Sequence, residues 1–188
     1  QPDAAITNIR LAIPLRAVSL KIGCDLKFVS FVSAGFEHLA WADVVVVQRG
    51  ASQIALNIAK QCSAVGKPVI YEVDDLIVEM PDFLCHHVQY IRNQYPIIEM
   101  MRVANHLTVT TPLLAGALKI YADSISVCPN YHAVDAVNIA NVSRGGVVHL
   151  IVAASDKIRV DFIAEALVLA KSSFEDRVRI VAVGPIAD

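Results

Sequence analysis

Cysteine, charge and long apolar runs are all scarce in this chain, and each scarcity excludes a class of protein. The four cysteines, Cys24, Cys62, Cys85 and Cys128, contain no CxxC pair. That spacing gives neither a disulfide framework nor a zinc ribbon, and the thiols read as reduced, mostly buried groups of a cytoplasmic protein. Charged residues make up only 18% and sum to −2, so no global basic field draws nucleic acid or an anionic membrane. No apolar run approaches the ~18 residues needed for a transmembrane segment, and no basic-then-apolar signal segment opens the chain. Without that signal, the Asn141-Val142-Ser143 match to a glycosylation sequon reads as chance. Gly-x-Ser-x-Gly, Gly-x-x-x-x-Gly-Lys and Gly-x-Gly-x-x-Gly are missing too. Their absence removes the nucleophile elbow, the P-loop and the dinucleotide fingerprint.

What the chain does have is apolar content. At 188 residues and 55% hydrophobic, it can bury a sizeable core and suits one domain or one and a fraction. Short apolar runs at 27–32, 44–48, 69–73, 107–110 and 125–128 predict strands, with a second group at 147–153 and 178–183. Helical spacing appears at 9–22, 52–65, 97–104, 112–121 and 160–172. Ser52 is a candidate cap for the second of these helices, Gly23 and Gly66 are stops, and Pro112 suits a first turn. Strands alternating with helices predict an α/β fold built on a Rossmann-like, mainly parallel, doubly wound sheet. The stretch 131–146, with Asn138, Asn141, Ser143 and Arg144-Gly145-Gly146, keeps no period and reads as a linker. Three parts are therefore expected: a Rossmann-like domain over 1–130, the linker over 131–146, and a strand-helix-strand unit over 147–188. Two strands and a helix cannot close a core, so the last part reads as the start of a larger domain, and the chain as a fragment. Pro2-Asp3-Ala4-Ala5 likewise leaves little room for a first strand.

The most informative run is Val69-Ile70-Tyr71-Glu72-Val73-Asp74-Asp75-Leu76, which is introduced by Gly66-Lys67-Pro68 and ends in two adjacent carboxylates. Unalternating apolar runs are the mark of buried parallel strands, and the carboxyl ends of such strands form the ligand crevice of open α/β sheets. Adjacent residues on an extended strand point to opposite faces, so a bend is needed for Asp74 and Asp75 to enter one site. Gln48 and Arg49 end the preceding strand and would line the same crevice. Arg49 suits either an anionic ligand or an ion pair with Asp74 or Asp75. Arg10 lies in or before the first helix, where a lone arginine is usually a surface residue.

Ala42-Asp43-Val44-Val45-Val46-Val47-Gln48-Arg49, then 66–76, then Ala104-Asn105-His106-Leu107-Thr108-Val109-Thr110-Thr111, then Val127-Cys128-Pro129-Asn130 occur in that order. Taken together they resemble the successive strand ends of the N-terminal domain of group 1, family 4-like glycosyltransferases with the GT-B fold. Ile9-Arg10-Leu11-Ala12-Ile13-Pro14-Leu15 is similar to the early arginine-and-proline segment of that family. Ser155-Asp156-Lys157-Ile158-Arg159-Val160-Asp161-Phe162-Ile163 resembles the start of its C-terminal, nucleotide-sugar-binding domain.

The resemblance implies transfer of a sugar from a UDP- or GDP-type nucleotide-sugar to a glycan, lipid or other acceptor. No bound metal and no further cofactor is implied, since GT-B proteins generally work without a metal. Ser155, Lys157 and Arg159 would meet the diphosphate, where a strand-to-helix turn offers N–H donors beside cations. Asp74 and Asp75 would orient acceptor or sugar hydroxyls, with Arg10, Gln48, Arg49 and Asn130 as further binding residues. Asn130 after Pro129 matches the family's interdomain turn, which suits turn geometry better than catalysis. A fragment of this kind is expected to be inactive alone, and homo-oligomerisation stays open.

Rival readings rest on the same residues. Glu72-Val73-Asp74 matches the acidic metal motif of the other glycosyltransferase class, GT-A, although the element order fits GT-B better. Asp82, Cys85, His86 and His87 invite zinc, yet Cys85 and His86 would diverge on a helix and no second ligand pair follows. His106 reads as a strand-entry residue. The alternative from another class is a non-catalytic Rossmann-like binding or regulatory module, with an acidic pocket like that of phosphoacceptor receivers. Receivers are single compact domains, and the linker followed by another α/β unit argues against one.

Overall fold

The computed structural model describes residues 4–82, 87–130, 148–153, 168–169, 171–173 and 178–183. The chain divides into two compact units, Gln1–Ala133 and Val134–Asp188. The first is an α/β domain around a four-stranded sheet. Its strands are β1 (Val45–Gln48), β2 (Val69–Val73), β3 (His106–Val109) and β4 (Ile125–Val127). They lie side by side in chain order, and every pairing is parallel. The helices are α1 (Ala4–Thr7), a π-helical turn (Asn8–Ala12), α2 (Ile13–Ile22), α3 (Phe36–Trp41), α4 (Gln53–Ala64), α5 (His87–Arg92), α6 (Gln94–Val103) and α7 (Pro112–Leu118).

Strands that step in one direction, each joined by a crossover of the same hand, put all their connecting helices on one face. The core agrees. Val47, Val69, Tyr71, Val73, Leu107 and Val109 share one face by register, and they form a single buried cluster with α4, α6 and α7. Local chemistry sets the helix ends. Ser52 Oγ accepts from the Ala55 N–H at 3.2 Å, and Thr111 Oγ1 accepts from the Leu114 N–H at 3.1 Å, each relieving an orphan donor of a first turn. Gly23 and Gly66 take positive φ of 69° and 72° where α2 and α4 stop.

The opposite face corrects the expectation of strands buried on both sides. By register, Gln48, Glu72, Thr108 and Ser126 form a polar row across all four strands. Only Glu72 in that row is fully buried. What covers this end of the sheet is the first helical segment, whose Thr7 and Arg10 bond to Gln48 and Glu72. Of residues 6–44, only Arg10 and Ala12 are buried. The π turn explains how an arginine gets there. Pro14 has no N–H and its ring crowds the carbonyl of residue 10, four positions back. The ladder responds with a wider bond, the Ile13 N–H to the Asn8 carbonyl, and turns Arg10 towards the sheet.

The strand expected at 27–32 is absent. Ser33 N–H returns to the Ser30 carbonyl at 3.0 Å, so the run bends on itself rather than joining a ladder. Phe28, Val29 and Val32 stay exposed, and only Phe31 packs on the core. Helix α3 went unpredicted, and the helix expected at 97–104 starts earlier, at Gln94. In the second unit, β5 (Val148–Ala153) and β6 (Val178–Val183) pair in parallel, and residues 168–169 and 171–173 between them are helical. The expected linker at 131–146 lies outside the described residues.

Gly50 seals the β1–α4 turn against the core. A Cβ there would sit 2.7 Å from Val47 Cγ1 and 2.9 Å from Ala55 Cβ. Both are stiff neighbours, so Gly50→Ala is expected to lower stability by about 1–3 kcal/mol in urea denaturation. An unchanged midpoint would show that this turn is loosely packed.

Candidate functional site

The carboxyl ends of β1 and β2 gather the ionisable side chains. At the end of β1, Arg49 adopts φ 45°, the only non-glycine positive φ among the described residues. That left-handed conformation costs about 1–2 kcal/mol for a residue with a Cβ, and the contacts of the side chain offset it. Nε lies 3.3 Å from Asp74 Oδ1, Nη2 lies 3.3 Å from Asp75 Oδ2, and Nη2 also donates to the Tyr90 hydroxyl at 3.0 Å. The chain bends after Val73, and Thr110 Oγ1 donates to the Asp74 carbonyl at 3.0 Å. The bend required for both carboxylates to share one partner is therefore present. Arg49 forms an ion pair with both aspartates at once. Asp74 is largely enclosed, whereas the Asp75 side chain is 60% exposed.

Arg10 organises the other half of the edge. Its side chain is 4% exposed and that of Glu72 is 2% exposed, and Nε meets Glu72 Oε1 at 2.6 Å. Nη1 donates to the Cys128 carbonyl, and to Asn130 Oδ1 at 3.1 Å. The surface reading of Arg10 is thus corrected, because a paired carboxylate and two further acceptors let a guanidinium stay buried. Asn130 sits on the chain leaving β4, and its side chain binds Arg10.

Glu72 is the residue that sequence reasoning missed, having entered only as part of a metal motif. Its signal was available: a carboxylate inside an apolar strand run must find a partner or remain neutral. Gln48 stands beside it and bonds Thr7, with the Thr7 hydroxyl donating to Gln48 Oε1 at 2.8 Å. Three buried atoms at this edge make no hydrogen bond of good geometry: Gln48 Nε2, Glu72 Oε2 and Asp74 Oδ1.

Burial pushes the Glu72 carboxyl above its ordinary range and outweighs the hydrogen bond and charge of Arg10. Burial likewise raises Asp74; Arg49 opposes the shift and Asp75 adds to it. A carboxylate of raised pKa in this position is a stronger proton acceptor than a solvated one.

The remaining candidates lie elsewhere. Ser155, Lys157 and Arg159 lie outside the described residues, as do Cys85 and His86 of the zinc reading. His87 Nδ1 is 2.7 Å from the Met80 carbonyl. Among the described residues no three His, Cys, Asp or Glu side chains converge as metal ligands. His106 bridges the hydroxyls of Ser124 and Ser126 at 2.7 and 2.9 Å, at the amino end of β3. That end also has an open depression of about 470 Å³ beside Asn105, Tyr121 and Asp123. It stands at the opposite edge of the sheet from the two aspartates.

No family model, no curated protein and no solved structure matches this chain. It is an α/β domain with an all-parallel four-stranded sheet. No helix among the described residues is long and apolar enough to cross a membrane.

The raised carboxyls have a consequence for stability. A group that binds its proton more tightly folded than unfolded favours the folded state while protonated. Stability then falls as pH rises from about 4 through the folded values. Urea midpoints measured across that interval should fall more in the wild type than in Glu72→Gln. A wild-type midpoint that rises relative to Glu72→Gln would show that Arg10 depresses the Glu72 pKa instead.

Proposed function

We propose that this chain is the acceptor-side domain, and the opening of the nucleotide-sugar domain, of a GT-B-type glycosyltransferase. The observation that carries the proposal is the carboxyl edge of the parallel sheet, where Arg10, Gln48, Glu72, Arg49, Asp74 and Asp75 converge. Such an edge suits a ligand with many hydroxyls, because carboxylates accept from hydroxyls and amide or guanidinium groups donate to them. Glycosyl transfer develops positive charge at the sugar carbon and negative charge on the leaving diphosphate. In this reading Asp74 accepts from the acceptor hydroxyl, its raised pKa suiting it to take the proton. Asp75, the more exposed partner, orients a neighbouring hydroxyl, and Arg49 holds the two carboxylates in register.

Ser155, Lys157 and Arg159 enter by sequence resemblance alone, as the diphosphate contacts. Asn130 enters as a turn residue rather than a ligand. The cytoplasmic setting, the UDP- or GDP-sugar donor and the glycan or lipid-linked acceptor belong to the same proposal.

The rival regulatory module would use Asp74 and Asp75 to hold a magnesium ion beside a phosphoryl group. Arg49 already bridges both carboxylates, which favours the transferase reading.

Calorimetry of the 188-residue chain with UDP-glucose and GDP-mannose, with and without magnesium, separates the two. Saturable binding that needs no magnesium and weakens about tenfold or more in Lys157→Ala or Arg159→Ala is expected, as for loss of a charged hydrogen bond. Asp74→Asn should leave that binding within about twofold, since the proposal puts it on the acceptor side. Magnesium-dependent binding of beryllium fluoride, lost in Asp74→Asn and without nucleotide-sugar affinity, would replace the transferase with the receiver-like module.

A further inference from the structure

Arg10 does more than neutralise Glu72. Its three acceptors lie on two separate parts of the fold: Glu72 in β2, and Cys128 and Asn130 on the chain just past β4. In the sheet β3 stands between β2 and β4, so the anchor points are two strand spacings apart, about 10 Å. The guanidinium joins the two through its contacts with Glu72, Cys128 and Asn130. It arrives from the N-terminal helical segment, 62 residues from Glu72 and 120 from Asn130 along the chain. A lysine could reach one of these acceptors with its point charge. Only the planar fork of an arginine serves Nε and Nη1 contacts in two directions at once.

We infer that Arg10 is a positioning residue that latches the chain leaving β4 to the carboxyl end of β2, and so fixes where the first compact unit ends. That unit closes at Ala133, three residues after Asn130. No covalent step or cofactor is involved, and the latch does not depend on the glycosyl-transfer reading. It supplies a mechanical link between the crevice and the unit boundary. Glu72 stands one residue from Val73 and two from Asp74, so a force on the exit segment reaches the strand that leads into the bend with both candidate carboxylates. The Arg10 charge also bears on Asp74 directly.

A merely structural ion pair would stabilise the whole unit, whereas a latch protects one segment. Hydrogen exchange read by mass spectrometry on the full chain distinguishes them, using peptides over 125–133 and over α4 and α6. Arg10→Lys keeps a charge for Glu72 but loses the fork. Asn130→Ala removes one exit contact and leaves the buried pair untouched, so it retains the fold. Both variants are expected to speed exchange over 125–133 by about tenfold, the size of one hydrogen bond to a charged group, with α4 and α6 unchanged. Combining the two should add little to Arg10→Lys alone, since both release the same contact. Unchanged exchange at 125–133 in both variants would overturn the latch. So would a uniform rise across the first unit in both, which would reduce Arg10 to a general stabilising pair.

Discussion

The Arg10–Glu72 pair is the interaction on which the site depends, because these are the two charged residues buried among those described. Both side chains are almost wholly removed from water. Each charge alone would be far too costly there, and the pair recovers that cost only through close geometry and further hydrogen bonds. Several local features converge on it. Pro14 opens the helix into a π turn that swings Arg10 inward. Thr7 is brought to Gln48, and the exit of β4 is drawn to the same guanidinium. Removing the pair would leave the polar row on the second face without its cover.

The neighbouring cluster uses a different balance. Arg49 is more accessible, its backbone is held in a left-handed conformation, and its two carboxylates sit on a bend rather than in a strand. Strain at a strand end, raised carboxyls and hydrogen bonds left unmade are features of places where a fold gives up stability for chemistry. They occur here at the edge where open parallel sheets bind ligands. The opposite edge is better satisfied: Asn105 exchanges hydrogen bonds with Val69, and Lys67 donates to the carbonyls of Ala40 and Ala42.

The α/β class was legible because each sheet strand is a short β-branched run bounded by caps and stops, as with Ser52 before α4 and Gly66 after it. The gathering of Gln48, Arg49, Asp74 and Asp75 at strand ends was legible for the same reason. The run at 27–32 misled because composition cannot tell a strand from an extended segment with no edge to join. The polar row on the second face was hidden, since Gln48, Glu72, Thr108 and Ser126 look ordinary one at a time and align only through register. Arg10 was hidden more deeply. Its burial depends on acceptors up to 120 residues away, and local sequence carries no trace of such a partner. After 133 the described residues are a parallel strand pair and a few helical residues, which do not include Ser155, Lys157 or Arg159, so the diphosphate residues remain a matter of sequence.

The most direct test is a double-mutant cycle on the pair, with stability measured for wild type, Arg10→Met, Glu72→Leu and the double variant. Each single change should cost about 3–5 kcal/mol by stranding the other charge in the interior, and the double variant should lie much nearer to wild type. Two small losses that simply add would contradict the account, because they would mean that the two charges are solvated and that Arg10 does not hold this edge together.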